Sequence, residues 1–119
     1  MLEADASAAM TRAGPYRRKF LSQSVLNAAL AVRTGASPRS VLYSIKHRTR
    51  HCGPEAMSLR WLNLSARSAI EHGATIQNVR QHVMTGLVQL QLLSAEDAAR
   101  LLGVGTEDFH ALCQEMDED

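Results

Sequence analysis

Histidine and cysteine side chains occur in two groups whose spacing would suit a metal ion. His47 and His51 are four residues apart with Cys52 next to them, and His110 and Cys113 are three residues apart. On two helices, these groups would form a mixed His/Cys ligand set. Structural zinc sites, however, usually have tighter, Cys-rich spacing. The alternative is solvent-facing histidines and a buried thiol that packs as a small apolar side chain. We therefore expect no metal and no cofactor.

Catalytic motifs are missing from the sequence. It has no glycine-rich loop that would cradle phosphate, no nucleophile elbow, and no pair of acids placed with a base in an apolar setting. Glu96 and Asp97 are explained more simply as acids in the first turn of a helix, where they favour the helix dipole. We expect a protein that is not an enzyme.

The charged residues divide the chain into two halves of opposite sign. Residues 1–60 contain ten Lys and Arg against three acids, a net charge of +7, and residues 61–119 contain three against nine, a net charge of −6. No acid occurs between Ala6 and Pro54. The basic residues of this window are Arg12, Arg17, Arg18, Lys19, Arg33, Arg39, Lys46, Arg48 and Arg50. A block of one sign favours a polyanion such as a phosphate backbone. The alternative is that the basic half docks on the acidic half of the same chain or of a second copy.

The elements that must position these charges are predicted to be helices. Apolar residues from Phe20 to Val32 recur at helical spacing and stop at Gly35, a natural C-terminal cap. Ser37 then caps a second helix that has Pro38 at its first position and ends at Cys52-Gly53-Pro54.

Four further helices are predicted in the second half of the chain. A third covers about residues 55–72, and Thr75 caps a fourth in which Gly86 is a place for a kink or an early end. Ser94 caps a short fifth helix that Gly103 closes, and a last helix begins at Thr106. The apolar residues expected on their inner faces are Leu59, Leu62, Ala66, Ala69, Ile70, Ile76, Val79, Val83, Leu87, Leu90, Phe109, Leu112 and Met116. Because no stretch alternates as a strand does, we expect an all-α fold, a compact bundle of five or six helices.

The length and composition fit one domain. The chain has 119 residues, of which 45% are hydrophobic, enough for a single core. We interpret residues 1–15 as a mobile, untargeted N-terminal tail and residues 16–119 as the domain, with a basic half at 16–54 and an acidic half at 55–119. No apolar run approaches the roughly 18 residues that a membrane span needs. We expect a cytoplasmic protein with reduced cysteines and no membrane contact.

One pattern occurs twice without gaps. The segment LNAALAVRTGASPRSVLYSIKH from Leu26 aligns with LSARSAIEHGATIQNVRQHVMT from Leu64 at an offset of 38 residues, which matches Gly35 with Gly73 and Val41 with Val79. The same order of helix, glycine turn and helix recurs around Gly103. Two loose copies fall short of the three matching units of a solenoid, so we interpret the pattern as three helical hairpins with ordinary turns.

The first hairpin, residues 27–46, resembles the helix-turn-helix superfamily of DNA-binding proteins. Its small residue where the helices meet is Ala31, its turn is Gly35-Ala36, and its branched apolar residue in the second helix is Val41. Ser44 departs from the pattern, because the family usually buries an aliphatic residue there and Ile45 comes one step late. The resemblance implies that the helix after Gly35 lies in the major groove of DNA.

The other two turns carry the wrong charge for this role. After Gly73 the second helix offers mainly Gln, Asn and His and only one formal positive charge, at Arg80. After Gly103 the second helix would present Glu107 and Asp108 to phosphate, which would repel them.

These observations favour a small DNA-binding transcriptional regulator of the bacterial or phage type. We expect phosphate contacts from Arg17, Arg18, Lys19, Arg33, Arg48 and Arg50, and base contacts from Arg39, Ser40 or Tyr43, with Ser37, Lys46 and His47 on the same helix. The partners would be double-stranded DNA, a protein bound through the acidic C-terminal half, and a second copy of the chain, since two half-sites multiply discrimination. The alternative is a protein-interaction adaptor or inhibitor whose charged halves dock on a protein partner.

Overall fold

Six α-helices make up the fold in the computed structural model, which describes residues 2–47 and 53–118 and the side chains of residues 14–47 and 53–115. They are α1 (Leu2–Arg33), α2 (Pro38–Lys46), α3 (Glu55–Glu71), α4 (Ile76–Gln89), α5 (Ala95–Leu102) and α6 (Thr106–Glu118). No strand occurs in either of these ranges. The expected all-α bundle is therefore confirmed.

The two N-terminal helices differ from their predicted bounds. Helix α1 begins at Leu2 rather than near Phe20, so the segment interpreted as a tail is helical, and Pro15 lies inside the helix. Ala, the strongest helix former, occurs five times in this segment, and it favours a helix even where apolar periodicity is absent. The mobility of residues 1–15 stays a prediction. Helix α2 ends earlier than predicted, at Lys46, where His47 takes an extended conformation.

The helix ends share one turn geometry. After α1, the Gly35 N–H donates to Val32 O and the Ala36 N–H to Ala31 O, the pair of bonds of a Schellman cap. The same pair of bonds ends α3 at Gly73, α4 at Gln91 and α5 at Gly103, and all four of these residues have positive φ. Hydroxyl caps start the following helices at Ser37, Thr75 and Ser94, as the sequence predicted.

The core is mainly aliphatic, and all six helices contribute buried residues to it, with α5 and α6 packed against α4 and each other. Its fully buried members include Ala28, Val41, Leu62, Val83 and Phe109. Three residues predicted for inner faces are exposed instead: Ile70, Ile76 and Leu90, the last two at the ends of α4. Apolar spacing therefore predicted burial correctly in the middle of the helices. It was wrong at helix ends, where fewer neighbours cover a side chain.

Helices α1 and α3 are antiparallel and form the longest contact of the bundle. Asn27 Nδ2 donates to Ser65 Oγ at 3.3 Å, Ser24 Oγ donates to the same oxygen at 3.0 Å, and the rings of Phe20 and His72 lie 5.0 Å apart. Asn27 and Ser65 are equivalent positions in the 38-residue alignment. The two hairpins α1–α2 and α3–α4 therefore meet at matching residues.

Glycine at position 86 permits a close crossing of α1 and α4. A Cβ there would lie 2.8 Å from Cγ2 of Val25 and closer still to Cγ1. Gly86 is buried inside α4, and the helix continues past it to Gln89. Packing against Val25, not a positive φ, explains the need for glycine at this position.

Within the described ranges, no helix is both long enough and apolar enough to cross a membrane.

Candidate nucleic-acid interface

Helix α2 presents one polar face to solvent. Arg39, Tyr43 and Lys46 are exposed, and their spacing of four and three places them on one side of the helix. His47, directly after the helix, is also exposed and lines the same groove. The rings of Tyr43 and His47 lie 5.0 Å apart, so the aromatic pair covers the end of this side. The opposite side is anchored in the core by Val41, Leu42 and Ile45.

Two serines at the start of α2 are engaged with the helix itself. Ser37 Oγ accepts the Ser40 N–H at 3.1 Å, and the two hydroxyls lie 2.9 Å apart. Both residues were predicted to face DNA. The Ser37 hydroxyl caps α2, and the Ser40 hydroxyl is hydrogen-bonded to it.

Ser44, which departs from the helix-turn-helix pattern, lies on the inner face of α2. Ser44 is 2% exposed and Ile45 is 7% exposed, so both point inward. The inner face is therefore one residue wider than the motif requires, and a small hydroxyl occupies the place of an aliphatic side chain. Arg39 and Tyr43 stay outside, in agreement with their predicted orientation.

A groove joins α2 to α4 and α5. Its volume is about 380 Å³, and the side chains that line it include Arg39 and Lys46 of α2, Arg80 of α4 and Arg100 of α5. None of its described lining residues is an acid. The nearest opposite charge is that of Asp97, which forms an exposed ion pair with Arg100 at 3.2 Å. Four cationic side chains from three helices therefore share one surface.

Arg80 differs from the other three cations of this groove, which are exposed. The side chain is half-buried, and its Nε is fully covered with no hydrogen-bond acceptor among the described residues. A covered guanidinium N–H without an acceptor is costly, because it has lost water and gained nothing in return.

The basic residues of α1 lie elsewhere. Arg17 and Arg18 line a second groove, of about 560 Å³, together with Asn78 and His82 of α4 and Glu115 of α6. Since successive helix residues are about 100° apart, Arg80 lies roughly 200° around α4 from both Asn78 and His82. The second groove is larger, but it contains an acid, and α4 separates it from the exposed face of α2. Lys19 and Arg33 are exposed on α1 and line neither groove.

Several predicted residues fall outside the described part of the chain. Arg48, Arg50, His51 and Cys52 belong to this group. Among the residues that the structure does describe, no cluster of three or more His, Cys, Asp or Glu could hold a metal ion.

Sequence reasoning missed Arg80 and Arg100 as partners of α2. It set Arg80 aside as an isolated charge on the second hairpin and did not use Arg100. One signal was available: in the 38-residue alignment Arg80 corresponds to Leu42, which is 6% exposed. The position that is buried in the first hairpin carries a charge in the second. The two hairpins must therefore differ in what surrounds this position.

Comparisons of this chain with protein-family models, with curated proteins and with solved structures found no significant match.

Proposed function

We propose that the protein is a small DNA-binding regulator that places the exposed face of α2 in the major groove. The observation that supports this most is the face itself, where Arg39, Tyr43, Lys46 and His47 are exposed together with no acid beside them. Arg is the side chain that most often reads guanine, and Lys contributes a point charge toward phosphate. The glycine turn and the buried Val41 hold this face at a fixed orientation to α1.

The roles along the face follow from position. Arg39 lies in the first turn of α2, the end that a recognition helix presents to base edges. Lys46 lies in the last turn, where its flexible stem reaches toward the backbone. Arg39 is therefore the base-reading residue and Lys46 a phosphate contact.

Two matched variants test these roles. We expect Arg39→Gln to reduce the preference among duplex sequences, by about 1–3 kcal/mol at the base it reads. We expect Lys46→Gln to weaken all duplexes alike and to reduce the salt slope of binding by about one unit. Fluorescence anisotropy with two labelled duplexes at several salt concentrations measures both effects.

Arg67→Gln is the control, because Arg67 is exposed on α3 and pairs with Glu71 away from α2. Equal losses in Arg39→Gln, Lys46→Gln and Arg67→Gln would show that only general charge matters, and would remove the assigned roles.

The second candidate function is protein interaction, and an exposed apolar surface on α1 and α3 favours it. Leu26 and Leu30 on α1, and Met57, Trp61 and Leu64 on α3, are each 46–58% exposed. Because Asn27 contacts Ser65 across antiparallel helices, Leu30 comes level with Trp61, and the two groups form one surface. Contiguous apolar surface of this kind marks interaction sites.

A second copy of this chain would cover this apolar surface if the protein binds DNA. One short helix contacts few bases, and two half-sites multiply discrimination. Sedimentation should then show a dimer that Trp61→Ala weakens. A wild-type chain that stays monomeric while binding no duplex would instead favour the adaptor or inhibitor.

A further inference from the structure

We propose that the groove between α2, α4 and α5 is a phosphate-binding site in which Arg80 is the central ligand. This inference rests on the proposed function for its source of phosphate, the backbone of a nucleic acid, but its geometry is independent of the helix-turn-helix resemblance. Neither α4 nor α5 belongs to the segment that carries that resemblance.

The first step is the unmet hydrogen bond of Arg80. Its Nε is covered by protein and finds no acceptor among the described residues, although the side chain lines an open groove. Guanidinium groups bind phosphate through a fork of N–H donors that matches two of its oxygens. Because this Nε is covered, an anion in the groove would bind the part of the guanidinium that lines the groove, and its charge would offset the cost of the half-buried cation.

The second step is the charge around Arg80. Arg39 and Lys46 of α2 and Arg100 of α5 line the same groove, with His47 at its edge. Asp97, on the α5 side, is engaged with Arg100 and is too exposed to neutralise the group. Gathering like charges costs energy unless a counter-charge sits among them, and phosphate is the anion with enough acceptor oxygens to serve several donors.

The third step is the floor of the groove. Leu42 is buried and Leu101 is half-buried, so apolar side chains lie beneath the charges. Apolar surroundings lower the local dielectric and strengthen a charge-assisted hydrogen bond compared with one in water. The volume of about 380 Å³ and the open form leave room for a phosphate that belongs to a longer chain.

The second groove makes a weaker phosphate site. Arg17 and Arg18 line it, but Glu115 also lines it, and the other lining residues that the structure describes include neutral amides and hydroxyls and no further Lys or Arg. A carboxylate repels phosphate and competes for the two arginines. The α2–α4–α5 groove has the cations without the acid.

The direct test is the side-chain Nε–H signal of Arg80 in ¹⁵N-labelled protein, assigned by its disappearance in Arg80→Lys. We expect this signal to shift and saturate on titration with a short DNA duplex, and to shift with inorganic pyrophosphate at higher concentration. In parallel, Arg80→Gln and Arg100→Gln should each reduce the salt slope of duplex binding by about one unit. Arg67→Gln, whose exposed ion pair matches that of Arg100, should leave the slope unchanged.

The outcomes separate this inference from the proposed function. If duplex shifts the α2 amides but not the Arg80 signal, and Arg80→Gln and Arg100→Gln bind like Arg67→Gln, the phosphate site is wrong and the α2 interface stands. A shift with pyrophosphate alone would support a site for free phosphate compounds and reject nucleic acid as the source. If neither ligand moves the signal, the inference fails whatever α2 does. Since Arg80→Gln removes a half-buried side chain, the exposed Arg100→Gln keeps the test informative if the first variant does not fold.

Discussion

Three hydroxyl side chains in this protein cap the N-terminal ends of helices. Ser37 Oγ accepts the Ser40 N–H, and Thr75 and Ser94 do the same for Asn78 and Asp97. Each satisfies one of the amides that the first turn of a helix leaves without a partner. Ser37 was expected at a DNA contact, which stays a prediction; in the structure its hydroxyl caps α2.

Ser37→Ala and Ser37→Asp separate these two roles. We expect Ser37→Ala to lower the free energy of unfolding by about 1 kcal/mol, because a cap is lost. Ser37→Asp should keep the stability, since Asp also caps well, yet weaken duplex binding because it adds a negative charge beside α2. Urea unfolding and anisotropy measure the two quantities.

Thr75→Ala is the control, because it removes the equivalent cap of α4 without touching the α2 face. An unchanged stability in Ser37→Ala, together with a loss of duplex affinity, would mean that this hydroxyl contacts DNA directly.

Residues with local signals were predictable, and residues defined by distant neighbours were not. Ser37, Thr75 and Gly103 were found because a cap is encoded within about four residues of sequence. The helical spacing after the Ser37 cap also predicted that Arg39 and Tyr43 are exposed and that Val41 is buried. Arg80 joins α2 only through the packing of α4, and no local pattern reports that contact. Its alignment with the buried Leu42 was the one signal in the sequence.

At the level of elements, the crossing of α1 and α4 depends on one missing side chain. Gly86 lies against Val25, and any Cβ at position 86 would overlap the two methyl groups of that valine. The same helix α4 carries Arg80, which lines the basic groove.

We expect Gly86→Ala to destabilise the fold by about 1–2 kcal/mol. Overpacking costs roughly 1–3 kcal/mol, and the better helix propensity of alanine offsets up to about 1 kcal/mol of that. In a Val25→Ala background the same change should cost less, because the overlapping methyl groups are gone. Thermal unfolding of the four proteins in this cycle gives the coupling. Additive effects would place the strain somewhere other than at this crossing.

The order and number of the helices followed from periodicity and caps, whereas two lengths did not. Helix α1 extends to Leu2 through a segment that has helix-forming residues but no apolar stripe. Helix α2 stops at Lys46 although basic residues continue after it. Helix length at these two ends depends on backbone propensity and on tertiary contacts, which apolar spacing does not record.

At the scale of the whole molecule, folding disperses the basic half over different surfaces. Arg39 and Lys46 face the α2 groove, Arg17 and Arg18 face the groove beside α6, and Arg33 ends α1. The basic, acid-free segment of the sequence therefore does not form one continuous basic surface. The acidic half of the sequence supplied two of the four cations in the α2 groove, Arg80 and Arg100.

The salt dependence of binding to a duplex tests the central claim most directly. With phosphate contacts from Lys46, Arg80 and Arg100 in each chain, the slope of log K against log salt should be about −3, so affinity should fall roughly fiftyfold between about 50 and 200 mM salt. Anisotropy of a labelled duplex with the wild-type chain measures this slope. Measurable binding at low salt with such a slope is the predicted result. No binding at low salt, or an affinity that salt does not change, would contradict the assignment of α2 and its groove to nucleic acid.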